Sequence, residues 1–248
     1  MLMSVAEIAR NAGVYPELAG ARVLVTGVQS QRGVDLVRAF GDHGCRMVLQ
    51  VPEISAEIDA LLSHVAETAL AIHVHHDPID EPEGAVRFTQ AATRHFGGFD
   101  IVVNLIAIER SDLAHARTLG AIETMIADRL QAAARTTNVA ANRMGLTWTH
   151  GAVLNILLVP EARADSDAAI ISMARATLAA MTRGEARRWA AHAVRINAVA
   201  PASPLAFGVL SDDEVVHCEP EVAALALYLA SAEGEGMTGL VFDAAMAA

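Results

Sequence analysis

Lysine is absent from this 248-residue sequence, so all 18 basic side chains other than histidine are arginine. A G+C-rich genome with biased codons would produce that pattern, but the chemical consequence holds either way. No ε-amine is available as a base, a Schiff-base former or a pKa-lowering neighbour. Tyrosine is nearly as scarce, with only Tyr15 and Tyr228. The two cysteines, Cys45 and Cys218, are spaced like neither a zinc site nor a redox motif, and two reduced thiols without a special role are expected. No run approaches the roughly 18 uninterrupted apolar residues of a membrane helix. The opening "MLMSVAEIAR" is too polar for a secretory signal, so a cytoplasmic protein with no membrane partner is expected. The formal net charge of −11 and the lack of a basic cluster argue against a nucleic-acid partner.

What is present is apolar and periodic. Hydrophobic residues make up 53% of the chain, and its length suits one α/β domain with a substantial core. After a short helical lead-in over residues 1–17, "ARVLVTG" (21–27) reads as a buried strand ended by Gly27. "RGVDLVRAFGDHG" (32–44) reads as an amphipathic helix stopped by Gly44. Further strands are expected at 46–51, 69–75, 100–108, 152–159, 194–200 and 239–244. Further helices are expected at 53–68, 82–97, 121–145, 166–190 and 220–231. Seven strands alternating with six helices predict a doubly wound parallel sheet covered on both faces, a nucleotide-binding architecture, in one domain over 18–248.

"VLVTGVQSQRG", "DIVVN", "VRINAVAP" and "MTG…FDAA", in this order and spacing, resemble the short-chain dehydrogenase/reductase family from residue 18 onward. The resemblance implies a Rossmann-like fold, a nicotinamide cofactor and hydride transfer aided by a tyrosine, a lysine, a serine and an asparagine. The positions that would carry these roles are altered. The family's Thr-Gly-x-x-x-Gly-x-Gly falls on Thr26, Gly27, Gln31 and Gly33, so its middle glycine is Gln31, where a side chain would stand between the backbone and a pyrophosphate. The outer glycines alone are equally explained by a tight turn and close packing. The ribose-holding acid at the end of the second strand aligns with Val51, followed by Pro52. Asp77 matches the family's adenine-side aspartate. Asn-Asn-Ala-Gly is reduced to Asn104, Leu105, Ile106 and Ala107, Pro-Gly to Pro201 and Ala202, and Asp-Gly-Gly to Asp243, Ala244 and Ala245.

The catalytic positions implied by the resemblance are Arg129 for the asparagine, Leu158 for the serine, Ile171 for the tyrosine and Arg175 for the lysine. Losing a general acid typically costs about 100- to 10,000-fold in rate. Losing an oxyanion-type donor costs on the order of 100- to 1,000-fold. Leucine and isoleucine have neither a proton to give nor a lone pair, so no pKa tuning restores them. The loop "ASPLAFGVLSDDEVVHCEPE" is also shorter than the family's usual substrate lid, and its Asp212, Asp213 and Glu214 read as solvated loop charge.

"HVHH" (73–76) places His73 and His75 on one face of a strand, but no thiol is nearby, and a hydrogen-bonded cluster without metal is expected. The long helices over 121–145 and 166–190 are rich in alanine and methionine, and in the family such helices pair between subunits. These readings combine into one expectation: a catalytically inactive family member that binds no cofactor itself. It would assemble with an active, NAD-binding paralogue in a heterotetramer, or with itself. The pattern of loss is similar to that of the inactive subunit of a hydroxyacyl-CoA dehydrogenase in anaerobic toluene catabolism. Two alternatives stay open: an oxidoreductase with non-standard catalytic residues, and a ligand sensor or scaffold using the emptied cleft.

Overall fold

The computed structural model describes residues 14–30, 32–79, 81–201 and 219–244. Its sheet contains β1 (Arg22–Thr26), β2 (Arg46–Gln50), β3 (Ala71–His75), β4 (Ile101–Ala107), β5 (Ala152–Leu158), β6 (Arg195–Pro201) and β7 (Val241–Ala244). All neighbours are parallel, in the order β3-β2-β1-β4-β5-β6-β7. The order reverses between β1 and β4, which makes the crevice above those two strands the topological switch point. The strands read as continuous apolar runs because both faces are covered.

The helices are α1 (Val34–Asp42), α2 (Ala56–Thr68), α3 (Pro82–Phe96), α4 (Arg110–His115), α5 (Leu119–Leu146), α6 (Asp165–Trp189) and α7 (Glu219–Ala230). The sequence reading anticipated six of them, each within a few residues of its bounds. The additional helix is α4, started by a reciprocal capping box between Glu109 and Asp112. It is too short to show an apolar period, and only Leu113 in it is recorded as buried.

One apolar layer joins Val23, Val25 and Leu49 to Phe40 of α1, Leu61 of α2 and Leu229 of α7. The opposite layer joins Leu24, Val48 and Val102 to Phe88 of α3, Met144 of α5 and Trp189 of α6. Successive residues of β1 thus enter opposite layers, as the two-residue strand period requires. Tyr15 and Leu18, at the end of the lead-in, pack against the first layer. Residues 1–13, the lid residues 202–218 with Cys218, and residues 245–248 lie outside the described residues. Among the described residues no helix is long and apolar enough to cross a membrane.

Two arginines tie the layers to the sheet edge. Arg195 donates to the carbonyls of Leu229 at 2.6 Å and Gly234 at 2.8 Å, anchoring the turn after α7. Arg22 donates through its backbone and Nε to Asp100 Oδ2 at 2.8 and 2.9 Å, and through Nη2 to Asp100 Oδ1 at 2.6 Å, joining the starts of β1 and β4. Burial pushes the Asp100 carboxyl up, but hydrogen bonds and charge from Arg22 outweigh it, so its pKa lies below the usual 3.8. A carboxyl depressed in the folded state contributes stability above its unfolded pKa and loses it as pH falls through the folded value. Asp100→Asn is therefore expected to cost about 1 kcal/mol at neutral pH, since the pair is partly solvated. Denaturant titrations of the two proteins should converge below about pH 3, and a gap that persists there would contradict the pairing.

Candidate functional site

The functional end of such a sheet is the carboxyl ends of its strands, above the switch point. A cleft of about 980 Å³ opens there, lined by Gly27, Gln29, Gln50, Asp112, Arg129 and Gln131, among others. Of the positions aligned with the family's motifs, it brings together Gly27, Leu105, Ile106, Ala107 and Arg129. Arg129 Nη2 is held 2.7 Å from Asp112 Oδ1 in α4.

The tyrosine and serine positions do not converge on a polar pocket. Ile171 is buried in a cluster with Ile106, Ile108, Leu130, Leu157 and Ala174. Leu158 is buried on the other side of the sheet's end, with Val199 and Val222 in the first layer. Arg175, at the lysine position, turns to β7 and pairs with Asp243. Tyr15 packs beside His43 and Tyr228 packs on the first layer, so neither tyrosine replaces the missing one.

Thr26 and Asn104, aligned with family cofactor positions, serve the scaffold instead. Register pairs Thr26 with Asn104 and Asn104 with Asn155 across β1, β4 and β5. Thr26 Oγ1 donates to Asn104 Oδ1 at 3.0 Å, and Asn104 Nδ2 donates to Asn155 Oδ1 at 2.8 Å and Thr137 Oγ1 at 3.2 Å. Both residues are buried, so this network locks three strands to α5 with its polar atoms paired.

The glycine-rich loop is closed upon itself. Gly27 and Gly33 have φ of 79° and 81°, which glycine adopts without strain. Both also lie against Leu105 of β4; a Cβ on Gly27 would stand 2.5 Å from the Leu105 carbonyl oxygen. The N–H of Gly27 donates to Gln50 Oε1 at 2.8 Å, and that of Val28 to the Gln50 carbonyl at 3.1 Å. The N–H groups of Gln29 and Arg32 donate to each other's carbonyls at 3.1 Å. The Ser30 N–H donates to Glu53 Oε2 at 3.0 Å, and its hydroxyl to Glu53 Oε1 at 3.0 Å. Across the crevice, Arg32 pairs with Glu109 through two oxygens, the Nη2–Oε2 distance being 3.0 Å. Gln31 lies outside the described residues.

The described groups of this loop have partners within the chain. A pyrophosphate at this motif takes backbone N–H donors at the loop and at the start of the following helix. Here the donors at 27–30 and 32 are used internally, and the first turn of α1 carries Asp35. Val51, at the ribose-acid position, is fully buried in the first layer, with its N–H donating to the His75 carbonyl at 2.8 Å. Asp77 accepts from Gln50 Nε2 at 3.0 Å through its backbone carbonyl, and its carboxylate lies 3.8 Å from His75 Nδ1. Gln50, Glu53 and the Arg32–Glu109 pair shape the site with Leu105, and of these only Leu105 was singled out from sequence, as a position of the altered Asn-Asn-Ala-Gly stretch. The one available signal was Glu53, an acid two residues beyond Val51.

The histidines form a cluster with a member the strand motif does not contain. His75 Nε2 lies 2.9 Å from His95 Nε2, and the His73 ring stacks on His95 at 3.9 Å. Burial, then the neighbouring His73 and His75, lower the His95 pKa. Among the described residues no group of three or more such side chains could hold a metal ion. Burial pushes the Cys45 thiol up to about 12, which leaves it protonated and unreactive at neutral pH.

Comparison with known proteins places this site in a family. A family model described as enoyl-(acyl carrier protein) reductase matches residues 27–208. The chain belongs to the short-chain dehydrogenase/reductase family, a family of oxidoreductases. It is 28% identical to cis-4-hydroxycyclohexanecarboxylate dehydrogenase of Sinomonas cyclohexanicum over 76% of each chain. It is 24% identical to (+)-cis,trans-nepetalactol synthase NEPS1 of Nepeta racemosa over 92% of this chain and 91% of that one. Its fold is similar to that of a short chain dehydrogenase from Mycobacterium smegmatis, with a TM-score of 0.72, 23% identity, and coverage of 93% of this chain and 94% of that one.

Asn104→Leu leaves the Thr26 hydroxyl and the Asn155 amide oxygen without their partner in a closed interior. The expected loss is about 2–3 kcal/mol, measured by urea unfolding. A loss below about 0.5 kcal/mol, the range of ordinary surface substitutions, would contradict the scaffold role.

Proposed function

We propose that this chain is a catalytically inactive short-chain dehydrogenase-fold subunit. In this reading it assembles with an active paralogue that binds NAD and oxidises a hydroxyacyl(-CoA) substrate. The observation that carries it is the site's chemistry: Ile171 and Leu158 stand at the proton-transfer and oxyanion positions, packed among aliphatic side chains. Neither can exchange a proton with a substrate oxygen. Arg175 does not take the lysine's part, because its guanidinium is engaged by Asp243 and the residue four before it, Ile171, offers no hydroxyl whose pKa a cation could lower.

Assembly is supported by the outer face of α6. Ala169, Ala176, Ala180 and Gly184 are exposed there, and nothing lies within 4 Å of where a Gly184 Cβ would be. Small residues let two helices approach closely, and the family resemblance implies pairing along this helix and α5. The same surface would serve a homo-oligomer. A place in aromatic hydrocarbon catabolism, such as toluene degradation, follows only from the similar pattern of lost residues. The cleft of about 980 Å³ favours one second reading, a ligand-binding scaffold, whose mark would be a small molecule that co-purifies with the chain.

The purified chain is expected to show no hydride transfer with hydroxyacyl thioesters and NAD, and no heat of NAD binding in calorimetry. Co-expression with an intact paralogue should yield one complex by size-exclusion chromatography. The double substitution Ile171→Tyr/Arg175→Lys is expected to restore no turnover, because the dinucleotide groove stays closed. Steady turnover by the unmodified chain alone would overturn the reading.

A further inference from the structure

We propose that Glu53 is the chain's own occupant of the anion site at its glycine-rich loop, and that the Arg32–Glu109 pair closes the loop over it. The first observation is the chemistry of the contact. Glu53 accepts both the N–H and the hydroxyl of Ser30 through its two carboxylate oxygens. A bidentate oxyanion on a backbone N–H of a loop leading into a helix is the arrangement by which such loops take phosphate. The carboxylate arrives from the residue after Pro52, just past the end of β2, where the chain has left the sheet.

The second observation is independent of Glu53. Leu105 of β4 lies against Gly27 and Gly33 on the floor of the crevice. Arg32, inside the loop, reaches across that crevice to Glu109. A dinucleotide crossing from one half of the sheet to the other passes through this crevice. Arg32 has spent its guanidinium on an internal partner, so the loop presents no free cation there. Gln29 and Arg32 join backbone to backbone. The described donors at 27–30 and 32 and the Arg32 charge all have partners within the chain.

The idea addresses the same cleft as the proposed function but rests on other residues. Failed assembly with a paralogue would sink that reading and leave this one standing, an alanine variant that ignores every anion would sink this one and leave that reading standing, and NAD-dependent turnover would sink both. The decisive experiment follows thermal unfolding of the full chain with inorganic pyrophosphate, ADP, NAD or NADP added separately. The unmodified protein is expected to keep its midpoint in all four. Glu53→Ala is expected to lower the midpoint by about 3 °C, and pyrophosphate or ADP should recover at least half of the fall. A response to ADP without pyrophosphate would mark a nucleotide subsite, and a response to both a bare phosphate site; either supports the proposal. Glu53→Gln keeps an acceptor on Ser30 and is expected to stay within about 1 °C of the parent, which covers the case in which the alanine variant fails to fold.

Stabilisation of the unmodified chain by NAD or NADP would overturn the proposal, because Glu53 would then be sharing the site with a cofactor. So would an alanine variant that loses stability yet ignores every anion, since Glu53 would then be an ordinary loop tether. A glutamine variant as destabilised as alanine would overturn it too.

Discussion

The contact on which this site depends is the seating of Leu105 on the two outer glycines of the first loop. Asn104 and Leu105 are successive residues of β4 and must face opposite layers. Asn104 is drawn to α5 by its buried amide network, with Thr26 on one side and Asn155 on the other. That fixes the strand's register, and Leu105 is thereby turned to Gly27 and Gly33. The absence of a side chain at these glycines leaves room for the leucine. A structural lock below the crevice and a plug within it are consequences of one strand placement.

Above the plug the chemistry is ionic and wholly arginine-based. Arg32 meets Glu109, Arg129 meets Asp112, and Arg110 reaches Asp167 at 3.3 Å. Each pair is partly solvated and contributes at most about 1 kcal/mol. Their effect is geometric: planar guanidinium groups fix the direction of their partners more firmly than flexible ammonium groups do. Because the sequence has no lysine, every permanent cation at this mouth is an arginine, the kind that holds a carboxylate in place.

The architecture was legible from sequence because it is written in long apolar runs. "VLV", "IVVN" and "VLNILL" are buried on both faces, and such runs between helical periods admit few other folds. Ile171 and Leu158 were legible as side chains that transfer no proton, since that inability does not depend on their surroundings; that they stand at catalytic positions is what the resemblance implies. The short helix α4 was hidden because six residues give less than two turns of pattern. The partners of the loop were hidden for a different reason. Ser30 and Glu53 are 23 residues apart, and Arg32 and Glu109 are 77 apart, so only the folded chain brings them together. Alignment by motif also stops at Val51, and an acid displaced by two residues falls outside it. Thr26 and Asn104 show the reverse limit, for their match to family positions said nothing about which way they face.

These substitutions share a direction. Catalytic sites ask a fold to hold polar groups poorly paired, and removing them commonly raises stability. Replacing a hydroxyl by Leu158 or Ile171 inside an aliphatic cluster adds apolar burial, at about 25 cal/mol for each Å² removed from water. On the proposed reading, Glu53 stands where a ligand's phosphate would and satisfies the Ser30 donors from within the chain. Each change exchanges a chemical capacity for a packed or paired interior. A protein whose contribution is its surface, as the proposed subunit's would be, needs the interior firm and the outer helices presented at fixed angles. Dependence on a bound dinucleotide would make that surface conditional on cofactor supply, and a closed loop removes the condition.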